Sequence, residues 1–216
     1  MGLLDRLAPR KSESDARPQG PSPGRTDDPV FATKALQKFL STLTSRTLPV
    51  LLDLGPVVGS NVSFFGEQLG CKIFVEDIFA DVDRHVRAGT LDQLPAFLSK
   101  RFPQADGEVD GILCWDLIDY LDRPAAQALA AQLTRVLRPD GALLGFFGSA
   151  PPQAAQYTKF IIVDDVNLRY RAYPATRGRQ AVLQNRDISR LFPDLSVSES
   201  ILLKTNLREV LFRKPA

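Results

Sequence analysis

Apolar positions along this chain fall into short continuous runs alternating with stripes at helical spacing. Pro49 to Leu54 is such a run, closing on Asp53 and a glycine turn, and reads as a buried parallel strand. A helix from about Asn61 to Leu69 follows and leads through Gly70 into a second strand, Lys72 to Val75. This is the βαβ opening of a doubly wound sheet. The stretch from Ile78 to Phe102 is mainly helical, with Leu91, Leu94, Phe97 and Leu98 on one face and Pro95 near a start or kink, and it offers no clear third strand. Val109 to Trp115 is the next strand. Asp122 and Pro124 open an alanine- and leucine-rich helix to Leu137, which Pro139-Asp140-Gly141 ends before the strand Ala142 to Phe147. Val197 to Leu203 and Glu209 to Phe212, separated by a polar turn around Thr205 and Asn206, suit an antiparallel pair.

Two weaker helices flank this pattern. Asp28 caps one whose first turn tolerates Pro29 and whose stripe is Phe31, Leu36, Phe39, Leu40 and Leu43, placed against the sheet edge. Asn185-Arg186-Asp187 caps the other, Ile188 to Phe192. Before Asp28, Pro, Gly, Ser and charges offer almost no apolar surface, so residues 1–28 are expected to form a disordered tail and residues 29–216 a single domain.

Composition narrows the classes of function. The 216 residues carry 27 basic and 25 acidic side chains, a net charge of +2 that gives little support to a nucleic-acid role. No apolar run approaches the roughly 18 to 20 residues of a membrane span, and the opening MGLLDRL carries no targeting signal. Cys71 and Cys114 lie in strand-like runs without metal or CxxC spacing, which favours reduced core thiols and a cytoplasmic location. The lone histidine, His85, excludes a multi-histidine metal site and reads as a surface residue of a helix.

The segment LLDLGPVVGSN, Leu51 to Asn61, lies between the first strand and the next helix. It resembles the first motif of class I S-adenosylmethionine-dependent methyltransferases, in which an acidic residue and spaced glycines hold the methionine part of the cofactor. Asp53, Gly55 and Gly59 match that pattern; Val57 departs from the glycine usual at the middle position. A β-branched side chain there resists positive φ and fills space where a cofactor approaches the main chain. The alternative is a strand-to-helix turn that binds nothing.

The resemblance extends over about Val50 to Phe147, and more loosely over the last two strands. It implies a Rossmann-like α/β sheet, mostly parallel with an antiparallel C-terminal pair and helices on both faces. Glu76 and Asp77 end the second strand about 20 residues beyond Gly55, as a ribose-binding acid would; strand phase favours Glu76, and a solvated pair at a strand end is the other reading. ILCWDLIDYL places Trp115, Asp116 and Asp119 at the carboxyl end of a strand, bordering the methyl-transfer site, unless Asp116 only satisfies local backbone donors. No acid after a third strand is available for adenine, and Asp106 or Asp110 is a weak substitute.

Residues 150–190 leave the common core and gather Lys159, Arg169, Arg171, Arg177, Arg179, Arg186 and Arg190 with Tyr157, Tyr170 and Tyr173. Such a substrate-side insertion suits an anionic acceptor, and equally a solvated face. The expected function is methyl transfer from S-adenosylmethionine to a small-molecule acceptor, without metal, through Asp53, Gly55, Gly59, Glu76, Asp77 and Trp115, with Asp116 on the acceptor side. The alternative is a non-catalytic methyltransferase-like module that recognises a partner. An NAD-dependent oxidoreductase fits less well, because the glycine spacing is not GxGxxG. The acceptor and the oligomeric state are not encoded in any motif.

Overall fold

A computed structural model describes residues 28–151, 155–180 and 182–216. The expected tail lies outside them apart from Asp28, whose carboxylate pairs with Arg171 at 2.5 Å. In chain order the elements are β1 (Val30–Ala32), α1 (Leu36–Thr44), β2 (Val50–Asp53), α2 (Gly59–Ser63) running into a π turn at Phe64–Gln68, β3 (Lys72–Val75), α3 (Ile78–Ala88), α4 (Leu94–Leu98) and β4 (Val109–Trp115). A 3₁₀ turn, Leu117–Tyr120, then leads to α5 (Arg123–Val136), β5 (Leu137–Gly148), β6 (Gln156–Ile162), β7 (Asn167–Pro174), α6 (Asn185–Leu191), β8 (Ser196–Leu202) and β9 (Leu207–Arg213).

Six strands form one sheet in the order β3-β2-β4-β5-β9-β8. The first four are parallel, and β9 runs antiparallel to both β5 and β8, so β8 points the same way as the first four. The fold is Rossmann-like, with the single reversed strand inserted next to last that the class I methyltransferase resemblance implies. Alternation along the strands assigns each side chain a face. Leu52, Ile112, Cys114 and Leu143 pack with α3, α4, α5 and α6, whereas Leu51, Leu113, Trp115 and Leu144 pack with α1 and the π turn. The chain runs from β2 out to β3 and crosses back to β4 on the other side. That reversal opens the crevice between the carboxyl ends of β2 and β4 where open α/β sheets take ligands.

Four expectations are corrected. Val30–Ala32 is a strand, not a first helical turn, because its backbone groups pair with β7 from Asn167 to Arg169. The helix that follows packs on β4 and β5 rather than at a sheet edge. Asn185 is the first residue of α6, whose N-cap is Gln184 with no side-chain cap bond. The Pro139-Asp140-Gly141 turn is absorbed into β5 as a bulge, since Leu137 pairs with Val109 and the next partners are Ala142 and Gly111, with Asp140 at φ +62°.

The segment after Phe147 builds a second sheet, β1-β7-β6, antiparallel throughout. Phe31, Phe160, Ile162 and Leu168 bury its inner face against Trp115 and Phe146 of the main sheet. Strand β6 is tied at three points. The Asn61 side chain of α2 donates to Phe160 O and accepts from Ile162 N, both at 2.9 Å. The Tyr120 hydroxyl donates to Gln156 O at 2.6 Å, and Phe79 of α3 stacks on Tyr157 at 5.5 Å. Those anchors follow β2, β4 and β3 respectively, so β6 crosses the mouth of the crevice.

Candidate functional site

Asp53 ends β2 and is buried. Its Oδ1 accepts from Gly55 N at 2.9 Å and from Trp115 Nε1 at 2.6 Å. Burial pushes its carboxyl up to about 6 despite those two donors. Trp115 ends β4 with φ +49°, a left-handed conformation that a bulky side chain rarely holds, at a cost of order 1–3 kcal/mol. This backbone turn carries the indole across to β2, where Cδ1 and Nε1 close on Gly55. A Cβ on Gly55 would stand 2.8 Å from both Cδ1 and Nε1 of the indole. Neither Gly55 nor Gly59 has positive φ, so Gly55 is required by the close approach of the indole and not by its own dihedrals.

Aromatic packing holds the indole in place. Its ring lies 5.1 Å from Phe160 at an interplanar angle of 5° and 6.3 Å from Phe146 at 8°. Val57, expected to obstruct the loop, is 65% exposed and has no positive φ. Gly59 has open space where a side chain would stand.

The two carboxylates after β3 are beside this turn, since Glu76 N donates to Asp53 O at 2.7 Å. Glu76 Oε2 pairs with Arg101 Nη1 at 2.7 Å, and the same guanidinium reaches Asp81 at 2.7 Å. Asp77 caps α3 by accepting from Ala80 N at 3.0 Å, and burial raises its pKa. Asp53, Gly55, Glu76, Asp77 and Trp115 thus converge. The two substitutes for an adenine-contacting acid do not join them: Asp110 accepts from Val50 N and Arg138 at the opposite ends of β2 and β4, and Asp106 is an exposed partner of Arg135.

Asp116, just beyond β4, sits in a buried cluster. Its Oδ2 accepts from Arg179 Nη2 at 3.0 Å, while Asp119 Oδ2 accepts from Gly148 N at 2.6 Å and lies 3.6 Å from Arg179 Nε. A Cβ on Gly148 would collide with the guanidinium, so glycine at the end of β5 is what admits Arg179. Two carboxylates share one cation here, and one oxygen of each has no hydrogen-bond partner. Burial raises both, and the charge of Asp116 adds to the rise at Asp119, which reaches about 7. The roles of Asn61 and Phe160 had no sequence signal, because both depend on β6 arriving from about 100 residues away.

Elsewhere, Cys71 and Cys114 are buried and unpaired. His85 is half-buried, with Nδ1 at 3.0 Å from Thr90 O. Among the described residues no three His, Cys, Asp or Glu side chains gather as a metal site needs, and no helix is long and apolar enough to cross a membrane.

The six-stranded sheet and its crevice define a Rossmann-like α/β fold. No family model matches the sequence, and no curated protein does. Solved structures that resemble it include the 1,6-didemethyltoxoflavin-N1-methyltransferase of Burkholderia thailandensis with 1,6-didemethyltoxoflavin and S-adenosylhomocysteine bound, at 17% identity over 84% of this chain and 79% of that one, TM-score 0.48. The glycopeptide N-methyltransferase MtfA resembles it at 15% identity over 83% and 94%, TM-score 0.45. The cyclase SpnF does so at 11% identity over 83% and 81%, TM-score 0.49. At such identities the likeness assigns no chemistry to this chain.

Proposed function

We propose that this chain is an S-adenosylmethionine-dependent methyltransferase whose donor crevice is shut by Trp115 in the conformation described. The observation that carries this reading is the convergence of the Asp53–Gly59 turn and the Glu76–Asp77 strand end at the point where the strand order reverses. At the ribose end Glu76 keeps Oε1 for a hydroxyl while Arg101 holds Oε2. The methionine end does not fit it until the indole leaves Gly55.

Displacing the indole forfeits two aromatic contacts and a hydrogen bond to a carboxylate, and it relieves the left-handed strain. The balance is about 2 kcal/mol, or roughly 30-fold in affinity. Bound S-adenosylmethionine supplies its own leaving group, so the protein has only to place an acceptor in line. The part of Asp116 in acceptor placement runs through Arg179, which it anchors beside the end of β4. The acceptor is a small molecule, and the chain acts in the cytoplasm.

The non-catalytic reading has one observation in its favour: Asp53, Gly55 and Trp115 satisfy one another without a ligand. Trp115 is the sole tryptophan, so its fluorescence reports on the gate. Titration with S-adenosylhomocysteine is expected to red-shift the emission of the wild type, and calorimetry is expected to show roughly 30-fold tighter binding to Trp115→Gly. Absence of binding to both proteins at millimolar ligand would leave the non-catalytic reading standing.

A further inference from the structure

A cavity of about 500 Å³ lies between α5, α6 and the turn after β4, and none of the donor-crevice residues lines it. That is the size of an ordinary small-molecule site. Its floor is Ile118, Leu121 and Ala126, all buried, and its wall is completed by Leu183 and Leu191. An apolar floor of this kind holds an aliphatic or aromatic body by removing it from water.

The charges at the mouth select the head group. Arg123 and Arg190 both line the cavity, are exposed, and have no ion-pair partner among the described residues. The carboxylates nearby are mostly engaged. Asp122 caps α5 through Ala125 N at 3.0 Å and stands 3.9 Å from Arg177, and Asp119 is held by Gly148 N and Arg179. Asp187 and the buried, unpartnered Oδ1 of Asp119 remain, against two arginines and the positive end of the 14-residue α5. Two free guanidinium groups above an apolar floor match a carboxylate more closely than an ammonium or a hydroxyl.

We propose that this cavity is a second binding site, separate from the donor crevice, for an amphiphilic monocarboxylate whose hydrocarbon body lies on Ile118, Leu121 and Ala126 and whose head is held by Arg123 and Arg190. The site does not depend on methyl transfer, and its test reads no tryptophan signal and no cofactor.

The test is calorimetric titration of the full chain with octanoate, acetate, octanol and octylammonium. Octanoate is expected to bind, acetate and octylammonium to give no heat, and octanol to bind about tenfold more weakly than octanoate. Arg123→Gln and Arg190→Gln should each weaken octanoate about tenfold and leave octanol unchanged, with Arg→Lys recovering part of the loss. Leu183→Trp, which narrows the cavity from a coil segment, should abolish octanoate binding with an unchanged circular dichroism spectrum. Failure of octanoate to bind the wild type overturns the proposal, as does equal binding of octylammonium. Octanoate binding that survives both glutamine variants and Leu183→Trp overturns it as well.

Discussion

Trp115 Nε1 donates to Asp53 Oδ1 across 2.6 Å and so joins the ends of two neighbouring parallel strands at the point where their crevice would open. The bond exists because residue 115 adopts φ +49° and because residue 55 has no side chain. Gly55→Ala is therefore expected to expel the indole, destabilising the fold by about 1–3 kcal/mol through overpacking. Emission from Trp115 should shift to the red, and in a Trp115→Gly background the same alanine should be nearly neutral. Urea denaturation of the four proteins in this cycle measures the coupling.

How much of this arrangement is legible in the sequence depends on where each partner comes from. Val109–Trp115 is read to the residue because a strand buried within a parallel sheet is a nearly continuous apolar run, and the half-buried edge strand Lys72–Val75 is read as closely because Gly70, at φ +67°, ends the helix before it. Strands β6 and β7 are not, since their outer positions carry Lys159, Arg169 and Arg171 and mimic a solvated cationic stretch. Strand β1 is missed because Phe31 continues a helical stripe while its hydrogen-bond partners are more than 130 residues away. In the glycine turn, local reading singles out Val57 as the obstruction. The group that lies on Gly55 is Trp115, 60 positions further on, and no local rule connects the two.

Asn61 latches β6 over the crevice through two buried hydrogen bonds to the backbone of Phe160 and Ile162. Asn61→Ala leaves one carbonyl and one amide without partners, at about 1–3 kcal/mol each. The expected outcome is faster hydrogen exchange at the Ile162 amide, with protection in β4 and β5 unchanged. If the latch also holds the gate closed, the same variant should bind S-adenosylhomocysteine more tightly than the wild type.

Arg179 is the cation shared by Asp116 and Asp119, and all three groups are largely withdrawn from water. Arg179→Met strands two carboxylates in the core, and breaking a buried pair in this way costs about 3–5 kcal/mol. Replacing the carboxylates as well, in Arg179→Met with Asp116→Asn and Asp119→Asn, removes the unpaired charge and should recover most of the loss. Chemical denaturation of the single and triple variants at neutral pH distinguishes a charge network from simple packing of the arginine stem.

The same cluster sets a pH dependence of defined sign. Burial raises Asp119 from 3.8 to about 7, with Asp116 adding repulsion and with Gly148 N and Arg179 opposing the rise. Between about pH 4 and pH 7 the unfolded chain has released this proton while the folded chain still holds it. Protons bound by the folded state exceed those bound by the unfolded state, so stability falls as pH rises through that window. Asp116, raised by the same burial, acts in the same direction, and the neighbouring Tyr120 is driven upward too, so neither counters the trend. Asp119→Asn cannot titrate and keeps an acceptor for Gly148 N. Its unfolding free energy should therefore decline less than that of the wild type between pH 5 and pH 8, by an amount on the order of 1–3 kcal/mol. Urea titrations of both proteins at these two pH values read that difference directly, and parallel declines would mean that the proton sits elsewhere in the core.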